Sequence, residues 1–200
     1  MVIDSSIIDR LNNCKVISRY GSGVDNVDVG YAKACGIEVA TVQDYCSIEV
    51  AEHTLALLLA VARKTITLDN SVRAGAWNFQ TVMSIPRLRG KVLGIIGYGH
   101  TGSRFRWICE GFGFSRILVH DHNLTDNEAY VEGVCKVDLP ELLRESDIVS
   151  LHIPYRRENH NFIGPEEIRT MKEGSIILNT SRGGVLNRLA AEEAVERGMI

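Results

Sequence analysis

The sequence predicts an α/β protein built around a doubly wound parallel sheet. Two observations lead to this prediction. Short, continuously apolar runs alternate with helical segments along the chain, and most of these runs are rich in β-branched residues. Strands that are covered by helices on both faces have this composition. The predicted strands are residues 15–18, 37–40, 92–96, 117–120, 134–137, 148–151 and 175–179.

The composition limits both the size of the protein and its partners. The 200 residues are 45% hydrophobic with a net charge of −3, which suits one large domain, or one domain and part of another. The charges form no long basic block, so we predict no nucleic-acid partner and no membrane partner. The longest apolar run, residues 55–62, is too short to cross a bilayer, and the amino terminus lacks a signal-peptide pattern. A cytoplasmic location is therefore predicted.

Helices are expected before the first predicted strand and after the second. Residues 1–13 have the pattern of a helix that precedes a strand in the middle of a lobe. Ser47 suits a helix N-cap, and the following residues 51–62 are apolar nearly all round. We expect this second helix to be buried between layers. The polar stretch that follows is typical of an irregular connection.

A glycine motif follows the third predicted strand. Residues 91–102 read KVLGIIGYGHTG, and a helix is predicted from about residue 103 to residue 111. The first glycine of such a motif permits a tight turn, the second lets the backbone approach a pyrophosphate, and the third allows close packing of helix on strand. We therefore predict a Rossmann-type dinucleotide site formed by Gly97, Tyr98, Gly99, His100, Thr101 and Gly102.

An aspartate follows the next strand. Asp121 lies 19 residues beyond Gly102, close to the spacing expected for the acid that binds the adenosine ribose 2′-hydroxyl. A carboxylate there would repel a 2′-phosphate, and His122 and Asn123 supply no arginine to receive one. The sequence therefore favours NAD over NADP as the cofactor. The alternative interpretation is a glycine-rich turn followed by an unrelated surface aspartate.

Three further segments carry a resemblance to a known family. They are residues 20–28 (YGSGVDNVD), residues 150–154 (SLHIP) and residues 179–186 (NTSRGGVL). With the glycine motif, they resemble the D-specific 2-hydroxyacid dehydrogenases, a family that includes phosphoglycerate dehydrogenase. The resemblance runs through nearly the whole chain. It implies part of a smaller, flavodoxin-like substrate lobe in residues 1–54 and an NAD-binding Rossmann domain in residues 55–200.

The resemblance also implies roles for individual residues. Arg182 would be the catalytic arginine that pairs with the carboxylate and carbonyl of a 2-oxo acid, a task that suits a guanidinium fork. Taken singly, Arg182 could equally form a structural salt bridge, and His152 could be a satisfied histidine at a strand end. The substrate carboxylate would be received by backbone N–H groups of Gly21, Ser22, Gly23 and Val24. The cofactor would also be contacted by Ser22, His152, Ile153, Pro154, Thr180, Ser181 and Arg182.

The sequence departs from the family in two respects. Family catalysis also uses a histidine as general acid and a supporting glutamate downstream of the arginine segment, and none of the six histidines matches that position. We therefore expect a fragment, cut at both ends, that binds the cofactor better than it turns over substrate. Asn187 stands where an aspartate is common. Ser22 and residues 158–163 lean toward the branch that contains the C-terminal-binding-protein co-repressors.

Three hypotheses about function follow. The leading one is an NAD-dependent oxidoreductase that interconverts a D-2-hydroxy acid and its 2-oxo acid, and that forms a homodimer partly through residues 70–88. The alternative is a non-catalytic, NAD-responsive binding protein of the co-repressor type. A full-length sequence without the downstream glutamate and histidine would favour that alternative. The third hypothesis is a relative of the adenosylhomocysteine hydrolases that holds NAD tightly. The arginine segment argues against it, because that segment is not expected in those enzymes.

Overall fold

The protein divides into two compact units, Met1–Cys46 and Ser47–Ile200. The structure is a computed structural model that describes residues 2–78 and 85–200. In the first unit, β1 (Val16–Arg19) pairs in parallel with β2 (Glu38–Thr41), and the helices are α1 (Ser5–Ile8) and α2 (Val29–Ala34). A small apolar core holds this unit together, formed by Ile8, Ile17, Val27, Ala32 and Ile37.

The predicted helix in residues 1–13 is wrong in its length. Asp4 accepts a hydrogen bond from the Ile7 backbone N–H and starts α1, but the helix has a single turn. Successive tight turns follow, in which the N–H of Leu11 donates to the Ile8 carbonyl and that of Cys14 to the Leu11 carbonyl. These turns carry the chain into β1. Residue 1 lies outside the described residues.

The second unit alternates strands and helices. After α3 (Ser47–Ala62) and α4 (Thr65–Arg73), the chain forms β3 (Val92–Ile96), α5 (His100–Ile108), β4 (Arg116–His120), α6 (Asp126–Glu132), β5 (Cys135–Lys136), α7 (Leu139–Glu145), β6 (Ile148–Leu151), α8 (Pro165–Thr170), β7 (Ile176–Asn179) and α9 (Arg188–Glu196). Short 3₁₀ turns lie at Glu110–Phe112, Arg157–Asn159 and Gly183–Val185. In the described part of the chain, no helix is long and apolar enough to span a membrane.

The strands of the second unit form one parallel sheet in the order β5-β4-β3-β6-β7. Every residue of β3 and β6 is buried. Leu93 and Ile95 of β3 belong to the core shared with α3 and α5, whereas Val92 and Ile96 belong to the core on the opposite face, with α7, α8 and α9. Helices therefore cover both faces of the sheet, and the predicted doubly wound Rossmann fold is confirmed.

The shortest strand differs most from its prediction. Residues 134–137 are predicted to be extended, but β5 contains two residues. Gly133 ends α6 in the left-handed conformation and the Val134 N–H still donates to the Ala129 carbonyl, while Asp138 already caps α7. Two helix termini therefore leave little chain for an edge strand.

The expectation that α3 is buried between layers is met on one face of the helix only. Ala51, Leu58 and Ala62 are buried, whereas Leu57 is 37% exposed and Val61 is 53% exposed. Burial follows one stripe because α3 packs against α5 and β7 along a single face. The apolar residues on its other face are left open to solvent in this chain.

One helix begins earlier than predicted. The helix after the glycine motif begins at His100 rather than at residue 103, because Gly99 is extended and already serves as its N-cap. Helix α9 begins at Arg188, where the Asn187 side chain accepts a hydrogen bond from the Ala190 N–H at 3.0 Å. Residues 70–88, predicted to contribute to a dimer contact, include the end of α4, and residues 79–84 lie outside the described residues.

Candidate cofactor and substrate site

The carboxyl ends of four parallel strands bring most of the predicted site residues of the second unit to one edge of the sheet. Gly97 follows β3, Asp121 follows β4, His152 follows β6 and Thr180 follows β7. The chain moves outward in opposite directions from β3, through β4 on one side and through β6 on the other. Ligands bind in the crevice at such a switch point.

The glycine turn is tightly packed at two of its glycines and open at the third. Gly97 has a φ of +89°, and a Cβ at this position would lie 2.8 Å from the carbonyl carbon and oxygen of His152. A Cβ on Gly102 would collide with the Gly97 carbonyl oxygen. At Gly99 the space is open, directly before the N-terminus of the nine-residue helix α5. The turn therefore leaves room for an anion where the backbone N–H groups of His100 and Thr101 begin the helix.

Asp121 ties the glycine turn to the end of β4. One carboxylate oxygen accepts a hydrogen bond from the Tyr98 backbone N–H at 2.6 Å, and the other accepts from the Asn123 N–H at 2.7 Å. A carboxylate has about four acceptor positions, so capacity remains for a ribose hydroxyl. The predicted cofactor role of Asp121 thus comes with a structural one that the sequence pattern did not indicate.

Tyr98 differs from its neighbours in the turn because its side chain faces the protein. The ring packs beside the core, and its hydroxyl donates to Glu132 at 3.4 Å. Burial, followed by the nearby Glu132 carboxylate, raises the pKa of Tyr98 to about 12. The Tyr98 side chain thus contacts the core and Glu132, while its backbone N–H is held by Asp121.

His152 is held firmly at the end of β6. Its backbone N–H donates to the Ile96 carbonyl at 2.7 Å, its Nε2 lies 2.8 Å from the Ser150 Oγ, and its ring packs on Phe105 with centroids 5.3 Å apart. Burial lowers the pKa of His152 to about 4. The imidazole is therefore neutral at neutral pH and is unsuited to act as a proton donor there.

The two residues after His152 make different contacts. The Ile153 side chain lies close against Gly97, so that a Cβ on the glycine would come 2.8 Å from its Cγ2. The Pro154 carbonyl accepts a hydrogen bond from the Asn159 Nδ2 at 2.7 Å. The first of these contacts places Ile153 next to the glycine turn, as a residue bordering a dinucleotide would be.

The arginine segment is shaped by Asn179, the last residue of β7. Its Nδ2 donates to the Arg182 carbonyl at 2.9 Å, and its Oδ1 accepts from the backbone N–H and the hydroxyl of Ser181 at 3.1 and 2.8 Å. Thr180 is anchored separately, with its Oγ1 2.7 Å from that of Thr54 on α3. The Arg182 Nη1 donates to the Ser181 carbonyl at 2.9 Å. The loop is thus fixed at each residue before the guanidinium.

Arg182 lines a cavity of about 430 Å³ together with residues of α3. The helix contributes Glu49, Val50, His53 and Leu57 to its wall. The sequence pattern did not single out His53 as a site residue. Its spacing of four residues from Glu49, on the same helix face, is the only signal that would have linked the two.

The second glycine after Arg182 has a packing role. A Cβ on Gly184 would lie 2.6 Å from the Tyr155 ring and 3.3 Å from the Nδ1 of His160, and those two rings meet edge to face. A larger cavity of about 760 Å³ lies between His160 and α9, but Arg182 does not line it. It shares Asn179 and Gly183 with the cavity beside Arg182.

In the first unit, the predicted carboxylate loop is tightly packed by an arginine. Gly21 has a φ of +146°, and a Cβ there would collide with the Arg19 guanidinium. The Arg19 Nε donates to the Asn26 Oδ1 at 3.2 Å, and the Gly21 carbonyl accepts from the Val42 N–H at 3.2 Å. The positive φ favours glycine at this position. A cation beside the loop of Gly21, Ser22, Gly23 and Val24 was not predicted from the sequence pattern.

Comparison with known proteins identifies the family. Residues 55–200 match the NAD binding domain of the D-isomer specific 2-hydroxyacid dehydrogenases. The chain belongs to this family. The predicted resemblance is confirmed, and the second unit contains the family's NAD-binding domain.

Named relatives agree with the family match. The chain is 36% identical over 198 residues to a D-3-phosphoglycerate dehydrogenase of Archaeoglobus fulgidus, and 35% identical over 204 residues to a glyoxylate reductase of Thermococcus litoralis. Each match covers 99% of this chain, but 37% and 61% of the respective relative. A crystal structure of D-lactate dehydrogenase from Aquifex aeolicus, complexed with NAD and lactic acid, superposes with a TM-score of 0.92 at 31% identity, over 99% of this chain and 59% of that one. The chain therefore spans about a third to three fifths of the length of these relatives.

Proposed function

We propose that this chain is the cofactor-binding part of an NAD-dependent oxidoreductase that interconverts a D-2-hydroxy acid and its 2-oxo acid. The observation that carries the proposal is the meeting of the glycine turn, Asp121, the His152 segment and the Arg182 segment at the carboxyl edge of one sheet. The relatives named above are enzymes of this class. Their names lend no support to the alternative of a non-catalytic binding protein.

The residues of this chain would bind and orient the reactants. The N-terminus of α5 would face the pyrophosphate, and Asp121 would accept a hydrogen bond from the adenosine ribose. Arg182 would pair with the carboxylate and carbonyl of the substrate. Bound nicotinamide would supply the hydride acceptor or donor. The neutral His152 would border the nicotinamide without supplying a proton, so the family's general acid is a separate group.

A calorimetric titration with NADH, and with NADPH as comparator, tests the cofactor assignment. We expect NADH to bind at least about tenfold more tightly, because the Asp121 carboxylate would repel the 2′-phosphate. Asp121→Asn should narrow this ratio, whereas Asp126→Asn, whose side chain is 94% exposed at the start of α6, should leave it unchanged. A folded chain that binds neither nucleotide would contradict the proposal.

A second titration tests Arg182. With NAD⁺ present, a 2-oxo acid cannot be reduced, so its binding can be measured by itself. Arg182→Ala should weaken the binding of glyoxylate at least about tenfold, because a bidentate charge-assisted pair is lost. Arg188→Ala is the matched control, since Arg188 is 80% exposed and pairs with Glu192 on α9. Equal binding by both variants would show that Arg182 does not hold the substrate.

We also infer a cytoplasmic homodimer. Helices α3 and α4 carry exposed apolar side chains, among them Val61 (53%), Ile66 (64%) and Val72 (50%), which are suited to cover one another across two copies. Light scattering should give twice the mass of one chain.

The assignment of Gly21 to Val24 to the substrate carboxylate stays a prediction from the resemblance.

A further inference from the structure

The cavity beside Arg182 has one wall that the family motifs do not cover. Of the α3 residues in this wall, Glu49, His53 and Leu57 are spaced four apart and therefore project from the same helix face. They place a carboxylate, an imidazole and an isobutyl group in a row. The opposite wall is the segment from Asn179 to Gly183, which includes Arg182.

The two walls are held in register by hydrogen bonds. The Thr54 Oγ1, next to His53 in sequence, lies 2.7 Å from the Thr180 Oγ1 and 2.7 Å from the Val50 carbonyl oxygen. Thr54 itself is fully buried. Since Asn179 fixes the remainder of the loop, the position of α3 relative to Arg182 is set by contacts within the second unit.

The charges of the cavity would discriminate between substrate side chains. A 2-oxo acid whose carboxylate pairs with Arg182 would have its remaining carbons in the same cavity as Glu49 and His53. A second anionic group would meet the Glu49 carboxylate on the cavity wall, and like charges at this short range repel each other. A hydroxyl can exchange a hydrogen bond with the His53 ring, and Val50 and Leu57 suit a short carbon chain.

We propose that Glu49 and His53 are specificity-determining residues. They select a 2-oxo acid whose side chain is short, uncharged and hydroxyl-bearing, and they disfavour a 2-oxo acid with a phosphorylated side chain. The inference rests on the proposed function, in which Arg182 holds the substrate carboxylate. It assigns the repulsion of phosphate to Glu49 and the recognition of the hydroxyl to His53. The two assignments are measured separately.

The experiment is a set of calorimetric titrations of the 200-residue chain saturated with NAD⁺, which prevents reduction. The probes are hydroxypyruvate, pyruvate, which lacks the hydroxyl, and 3-phosphohydroxypyruvate, which carries a phosphate instead. We expect hydroxypyruvate to bind about fivefold more tightly than pyruvate and about tenfold more tightly than the phosphorylated acid.

Variants on α3 assign these preferences. Glu49→Gln should remove most of the tenfold discrimination against 3-phosphohydroxypyruvate, whereas Glu52→Gln, an exposed residue of the same helix outside the cavity wall, should not. His53→Leu should reduce the preference for hydroxypyruvate over pyruvate to about one, and His53→Gln, which keeps a hydrogen-bonding group, should restore part of it. Circular dichroism checks the fold of each variant.

The outcomes separate the two proposals. If the acids bind in a manner that depends on Arg182 but the Glu49 and His53 variants leave the ratios unchanged, the specificity inference is wrong and the proposed function stands. The specificity inference is equally wrong if the wild-type chain binds the phosphorylated acid as tightly as hydroxypyruvate. If no acid shows binding that depends on Arg182, the proposed function fails, and the inference fails with it.

Discussion

Single residues of the glycine turn differ in what they tolerate, because their surroundings differ. A side chain at Gly102 would meet the backbone of Gly97, whereas one at Gly99 would enter open space. Glycine at position 102 is thus required for folding. Glycine at position 99 is required only if a ligand must approach the backbone there, as the proposed pyrophosphate does.

Alanine substitutions should separate these two requirements. Gly102→Ala should lower the free energy of unfolding by about 1–3 kcal/mol, because the backbone must shift to admit the methyl group. Gly99→Ala should lower the free energy of unfolding by about 0.5–1 kcal/mol, because alanine is a poorer N-cap than glycine, but should weaken NADH binding about tenfold or more. Urea unfolding and calorimetry measure the two effects, with Gly111→Ala as the control at another open position. Unaltered NADH binding by Gly99→Ala would argue against a pyrophosphate at this turn.

His152 should make stability depend on pH. Burial lowers its pKa to about 4 in the folded protein, against about 6.5 in an unfolded chain. Between about pH 4 and about pH 6.5 the unfolded state therefore binds the proton more readily than the folded state does. The contribution of the neutral His152 imidazole to the free energy of unfolding is complete above about pH 6.5 and is lost as the pH falls toward about 4. We expect wild type to lose about 1–3 kcal/mol over this range relative to His152→Gln. Parallel stability curves for the two proteins would contradict the burial of a neutral imidazole.

Helix termini position the elements that carry the site. Helix α5 begins at the glycine turn, α6 begins with a capping box at Thr125 and Glu128, and α9 begins with the Asn187 cap. Asn187 departs from the family pattern, in which an aspartate is common. Its side-chain oxygen satisfies the first turn of α9, a task that asparagine and aspartate perform comparably.

Substitutions of Asn187 test this account. Asn187→Ala should lower the free energy of unfolding by about 1 kcal/mol, because the Ala190 N–H loses its acceptor. Asn187→Asp should keep the cap and add up to about 0.5 kcal/mol through the helix dipole. Thermal unfolding of the three proteins measures both effects. A destabilised aspartate variant would show that the charge at this position meets an unfavourable neighbour.

The two units of the whole molecule differ in the size of their cores. The unit Met1–Cys46 has a core of five buried apolar residues, whereas the unit Ser47–Ile200 has two large cores on the faces of its sheet. Small domains bury a smaller fraction of their surface and are correspondingly less stable. Stability should therefore be unevenly distributed along the chain.

Hydrogen exchange followed by mass spectrometry tests this distribution. Amides of β3 and β6, which are fully buried at the centre of the sheet, should exchange most slowly, and amides of β1 and β2 should exchange at least about tenfold faster. Saturating NADH should slow exchange further at the start of α5, while an equal concentration of NADPH should have a smaller effect. Equal protection of β1 and β3 would show that the two units unfold together.

The fold class and the cofactor motif could be predicted from the sequence because their signals are local. The strands at 92–96 and 148–151 are predicted at their observed bounds, since continuous apolar runs mark strands that are covered on both faces. The turn after Ile96 is recognised from the spacing of three glycines. The family match over residues 55–200 confirms the resemblance found in these segments.

Contacts between distant residues decided the remaining features. The exposed face of α3, the internal direction of Tyr98 and the two hydrogen bonds of Asp121 depend on neighbours that local periodicity does not specify. The wall beside Arg182 is the clearest case, because it requires Thr54 and Thr180 to meet across 126 residues of chain. Local patterns identify elements and motifs, but tertiary packing alone brings His53 and Arg182 to one cavity.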